Sequence, residues 1–177
     1  VSASKSKSRK IRESAVRDWR IDITAPLSSR HLGRKLANYA KAVLVHLELS
    51  GKLGRGKLVS RLKNRAITGL SIVLTDDRKI RVLNRDYRRK DKPTDVLSFS
   101  MLEGECGDVV PDSLGDLVIS LETARRQARE YGVTLKAELH RLVIHGILHL
   151  CGYDHEGVSA AEANRMRRME RAVLELV

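Results

Sequence analysis

At 177 residues the chain is long enough to bury one substantial core and short for two, so a single domain is expected. No apolar run approaches a membrane span, and Cys106 and Cys151 stand far apart without a CxxC pair; this excludes membrane insertion, a disulfide framework and a thiolate zinc knuckle, and fits a reducing compartment. The net charge of +12 points to a polyanionic partner, nucleic acid or a ribonucleoprotein, while aromatic residues at 3% are too sparse for a base-stacking platform of the RRM or OB type.

The excess charge lies in the first half. Residues 30–65 carry ten basic side chains and one acidic, whereas residues 93–123 carry seven acidic and no basic ones. A binding face requires such asymmetry; a surface tuned for solubility is the alternative reading.

Residues 1–14 are rich in Ser, Lys and Arg with almost nothing apolar, the composition of a disordered basic arm. The expected organisation is an arm over 1–17 and a folded domain over 18–177. The arm also resembles a transit peptide in composition, and the chain does not begin with Met, so its true start is open. From Trp19, WRIDITAP alternates apolar and polar residues as a strand does, and Pro26 ends it. Ser28 or Ser29 can cap a following helix whose apolar positions Leu32, Leu36, Tyr39, Ala40, Val43, Leu44 and Leu47 recur at three and four. GKLGRGKL (51–58) has the glycine and lysine spacing of a phosphate-binding loop. Leu58 stands where Ser or Thr must hold Mg²⁺, however, and no strand precedes it, so a mobile basic loop is expected.

LSIVLT (70–75) reads as a buried strand, and Asp76 caps a helix carrying Ile80, Leu83 and Tyr87 that Pro93 stops. VLSFSM (96–101) and LGDLVIS (114–120) are two more strands, and the short acidic link between them favours antiparallel pairing. Three helices follow, over 121–131, 134–151 and 158–176, the first two ended by Gly132 and Gly152. Strands and helices do not alternate regularly, so the fold class is α+β.

HGILHLCGYDH (145–155) places three of the six histidines in eleven positions. At 100° per residue, His145 and His149 lie about 40° apart on one helix face, and Gly152 lets the chain reverse so that His155 returns towards them. Three imidazoles leave a fourth tetrahedral position to water, the catalytic arrangement of Zn²⁺. The spacing is that of metzincin proteases (HExxHxxGxxH), but Gly146 stands where they carry the general-base glutamate. His31, His46 and His140 are read as structural. Cys151 is a weak candidate ligand, better explained as a small buried residue. Asp154 either orients a ligand imidazole or is an ordinary turn aspartate.

Arg85, Arg88, Arg89, Lys90 and Lys92 crowd into NRDYRRKDKPTDVLSF (84–99). Two readings stand side by side: cations favoured by a helix C-terminus, and a phosphate-binding cluster that stabilises charge on a phosphodiester.

HGILHLCGYDH, NRDYRRKDKPTDVLSF and LGDLVISLETA together resemble the YbeY family of rRNA maturation factors, single-strand-specific metal-dependent endoribonucleases, from about Trp19 to the C-terminus. The resemblance implies a small α+β fold with helices against a mixed sheet of about four strands, and one zinc held by His145, His149 and His155. It also implies a functional arginine at Arg88; Arg85, Arg89, Lys90 and Lys92 are taken as RNA contacts from their clustering around it. It further implies cleavage of ribosomal RNA, in particular maturation of the 16S 3′ end, ribosome quality control, and association with the small-subunit protein uS11 and the GTPase Era. A bacterial cytoplasm is the expected location, an organelle the alternative. Ser100 stands where proline is frequent in the family, and the basic arm is outside the shared pattern. Two rival readings remain: a non-catalytic RNA-binding assembly factor with a structural metal, and a metallohydrolase of peptides or small molecules.

Overall fold

The computed structural model describes residues 16–54, 67–102, 112–155 and 157–175. Residues 1–15, most of the glycine- and lysine-rich loop and most of the acidic link before residue 113 lie outside them, and with them the expected arm and the end of GKLGRGKL. Arg17, at the edge of the expected arm, is tied down: its backbone N–H donates to Glu48 Oε2 at 3.1 Å.

Among the described residues four strands form one sheet: β1 (Arg20–Thr24), β2 (Gly69–Thr75), β3 (Val96–Ser100) and β4 (Ser113–Ser120). Their order is β1-β2-β4-β3, with β1–β2 and β2–β4 parallel and β3–β4 antiparallel, the pairing that the short link favours. The sheet is therefore mixed, and β3 is an edge strand.

The described residues also form five α-helices: α1 (Arg30–Leu49), α2 (Asp77–Arg88), α3 (Leu121–Glu130), α4 (Leu135–Leu150) and α5 (Ala160–Leu174). Side chains alternate across a strand, so the register assigns each row to one face. Ile23, Ile72, Leu117 and Ser98 lie in one row across the sheet. Gly33 of α1 meets this row at Ile23, and Gly146 of α4 meets it at Leu117 and Ser98. Val73, Val118 and Leu97 form the neighbouring row on the opposite face, where they pack with Ile80 and Leu83 of α2. The main core lies between the sheet, α1 and α4, and includes Leu36, Val43, Leu44 and Leu47 as the helical periodicity required.

Local chemistry sets most helix ends. Asp76 accepts from Lys79 N at 2.8 Å, Thr134 from Ala137 N at 3.1 Å and Ser159 from Glu162 N at 3.3 Å, each satisfying an orphan first-turn donor. Two expectations need correction. The serines before α1 make no side-chain cap, because a 3₁₀ turn over Leu27–Ser29 leads into the helix and Ser29 N donates to Pro26 O. Pro93 does not end α2. Arg89 does so in a left-handed conformation (φ 56°), and buried Asn84 then donates from Nδ2 to Lys92 O at 2.8 Å, pulling the basic turn back onto the helix.

Candidate metal centre

His145 and His149 occupy successive turns of α4, and their Nε2 atoms lie 3.2 Å apart. Two imidazole ligands at about 2.0–2.1 Å from a tetrahedral zinc are separated by roughly that distance. Beyond the helix, Gly152 takes the left-handed conformation (φ 82°) and Tyr153 is buried, its hydroxyl donating to Lys52 O at 3.1 Å. Asp154 Oδ1 then accepts from His155 N at 2.7 Å and turns the backbone so that the third ring faces the other two. The His155 ring centroid is 5.0 Å from that of His145 and 5.1 Å from that of His149, and one ligand atom from each residue lies within 4.8 Å of the others.

These residues fit a metal. All three rings are half-buried, and His155 Nδ1 is buried without a hydrogen-bond partner among the described residues. An unsatisfied buried nitrogen is unfavourable in a dry protein. A set of three imidazoles with no thiolate suits zinc or another divalent transition ion.

The environment sorts the remaining candidates. Cys151 is fully buried, and burial pushes its thiol up to about 12, far from a ready thiolate. Asp154 Oδ1 lies 3.8 Å from His149 Nδ1. That distance is beyond a hydrogen bond, while in the turn Asp154 Oδ1 accepts from His155 N. His140 stacks on Tyr39 with centroids 3.5 Å apart, and burial, aided by nearby Lys136, lowers its pKa. It is a packed core-edge residue, as expected.

One contact of the histidine cluster was missed by sequence reasoning. Glu170 on α5 accepts the Nδ1 side of His145 at 2.6 Å. Burial pushes this carboxyl up, but the hydrogen bond with His145, together with the charges of His145, Arg141 and His155, outweighs that and holds it below the ordinary range. The available signal was periodicity, since Glu170 lies in line with the buried Ala163, Met166 and Val173.

Gly146 matters for its size. A Cβ there would lie 2.6 Å from Leu117 Cδ2 and 3.3 Å from Ser98 Oγ, so α4 sits directly on the sheet at this point. The glutamate of a metzincin at this position would have to displace a core leucine.

The basic turn is built differently. Arg88 is the last residue of α2 and exposed, and Arg89, Lys90 and Lys92 are exposed beyond it. Arg85 turns to its neighbour Asp86 at 2.8 Å, and Arg81 pairs with Asp91 through two bonds of 2.8 and 2.7 Å. Part of the cluster's charge is thus met locally, which composition did not reveal. The turn is joined to the histidine helix through Asp95, which caps Val96 N at 2.9 Å, accepts from Gln127 at 3.1 Å and meets Arg141, one turn before His145, at 3.4 Å.

Fold and centre together define a small α+β protein with a zincin-like three-histidine motif at a helix end. A family model described as "Endoribonuclease YbeY" matches residues 52–177. Curated relatives carrying the same name include one from Myxococcus xanthus, 47% identical over 145 residues, covering 82% of this chain and 43% of the relative's length. Another, from Geobacter sulfurreducens, is 51% identical over 108 residues, with 61% of this chain and 72% of the relative covered. The solution structure of TM1509 from Thermotoga maritima is similar with a TM-score of 0.50 at 28% identity, covering 88% of this chain and 87% of that one. The chain belongs to the YbeY endoribonuclease family. Among the described residues no helix is long and apolar enough to cross a membrane.

Proposed function

We propose that this protein is a zinc-dependent endoribonuclease that cuts single-stranded ribosomal RNA in the bacterial cytoplasm, acting in 16S 3′-end maturation and ribosome quality control. The observation that carries the reading is the convergence of His145, His149 and His155 in a chain of this family. Those rings would hold a zinc ion, which would supply Lewis acidity and a water of lowered pKa. Arg88 binds the scissile phosphate and stabilises its developing charge, while Arg85, Arg89, Lys90 and Lys92 hold the flanking backbone without reading bases. The small subunit, through uS11 and Era, presents the substrate.

The test compares the unchanged chain with a His145→Ala/His149→Ala variant for zinc content and for cleavage of single-stranded RNA. Near-stoichiometric zinc is expected in the first, and joint loss of zinc and cleavage in the second; cleavage that survives loss of zinc sinks the reading. End-group analysis identifies the nucleophile, since 2′,3′-cyclic phosphate ends belong to attack by the RNA's own 2′-hydroxyl.

The tie between α4 and α5 through Glu170 favours one rival, an RNA-binding assembly factor whose metal only braces the C-terminal helices. In that case His149→Ala unfolds the chain while Arg88→Ala supports assembly normally. Gly146, backed by Leu117, disfavours peptide hydrolysis by the metzincin route.

A further inference from the structure

Glu170 occupies a core-facing position. It stands four residues after Met166 and three before Val173, which are 1% and 0% exposed, and its own side chain keeps 22% of its exposure. A carboxylate in such a stripe is unfavourable unless it is paired. A leucine there would serve α5 better if docking the helix were the only requirement, because Met166 and Val173 already supply the apolar contact. The carboxylate's partner is a ring of the metal centre, and the 2.6 Å separation is that of a charge-assisted hydrogen bond.

We propose that Glu170 is a positioning residue of the metal centre: it takes the Nδ1–H of His145 and so holds that ring in the tautomer and orientation that leave the Nε2 lone pair for the cation. The inference rests on the metal reading above. A neutral imidazole carries one proton, and an ionised carboxylate can only accept, so the pair excludes the tautomer with a bare Nδ1. His145 Nε2 is the atom that faces His149 Nε2 at 3.2 Å. Supporting carboxylates of this kind set ligand orientation and basicity, and their loss commonly weakens metal binding about 10–100-fold. The last helix thereby belongs to the centre although it supplies no ligand.

The test titrates zinc into the metal-free full chain, Glu170→Gln and Glu170→Ala, in competition with a chromophoric chelator, and records the visible bands of the cobalt(II)-substituted proteins. Arg167→Ala, on the exposed side of the same helix, is the control. Zinc affinity should fall about 10–100-fold in Glu170→Ala and less in Glu170→Gln, whose amide can donate as well as accept and no longer enforces the tautomer. The cobalt bands should shift, and the Tm of metal-free Glu170→Gln should stay near that of the unchanged chain. If Glu170→Ala does not fold, the Gln variant carries the test alone. Zinc affinities within twofold of the unchanged chain in the folded variants overturn the proposal, with or without a lower Tm, and leave Glu170 as a docking contact. An unchanged chain that binds no zinc overturns the metal reading and this inference with it.

Discussion

At the end of α4, His145 is braced by Glu170, the following turn is anchored through buried Tyr153, and the helix itself lies on the sheet at Gly146. At the end of α2, the side chains of Arg88, Arg89, Lys90 and Lys92 are exposed, Arg85 pairs with adjacent Asp86, and Arg81 pairs with Asp91 beyond the helix end. On the proposed function, the two ends answer different demands. A metal fixes ligand positions to tenths of an ångström, so its ligands need buried supports. A polyanion is held by summed charge, which tolerates mobile side chains and shares the work among them.

The largest effect that sharpens this contrast is expected at Arg88. Arg88→Ala should lower kcat/KM for single-stranded RNA by about 10²–10³-fold, the usual loss for a group that stabilises transition-state charge, with Tm unchanged. A matching fall in Tm, measured by thermal melting, breaks the contrast by making Arg88 a structural residue. Gly146→Ala tests the other end. Overpacking against Leu117 should cost about 1–3 kcal/mol, read by denaturant unfolding, and zinc affinity should weaken as His145 shifts.

Asp95 joins the two ends, and its pH dependence is a finer probe. Burial raises its pKa, but the bonds from Gln127, Val96 N and Thr94 and the charge of Arg141 outweigh that and hold it below 3.8. A depressed folded-state pKa stabilises the fold above the unfolded value, and the benefit is lost as pH falls through the folded value. Asp95→Asn should therefore be less stable than the unchanged chain at neutral pH, by about 1–3 kcal/mol. The gap should close only below about pH 4; a gap independent of pH assigns the loss to packing. The smallest effect is expected from Lys90→Ala/Lys92→Ala, which should reduce the slope of log affinity for single-stranded RNA against log salt by about 0.7 for each phosphate no longer neutralised, without altering Tm. An unchanged slope removes these lysines from the interface.

The amino-acid order by itself determined whatever depends on neighbours along the chain. Asp76 announces α2 because a cap needs only the next turn, and the short link between β3 and β4 favours antiparallel pairing because a parallel pair usually needs a longer crossover. The histidine triad is legible for the same reason: helix pitch and one left-handed glycine bring His145, His149 and His155 together within eleven residues. Arg89 as the end of α2 is a different matter. A non-glycine residue at φ 56° is held there by contacts such as Asn84 with the carbonyl of Lys92, and no local preference forecasts it. The 3₁₀ entry to α1 likewise sets aside a serine cap that spacing alone allowed. Only the tertiary structure decided that Leu117 backs Gly146, and that Glu170, fifteen positions beyond His155, meets His145. Those contacts join segments whose separation in sequence carries no distance, and their geometry exists only once α4 and α5 have buried their apolar faces.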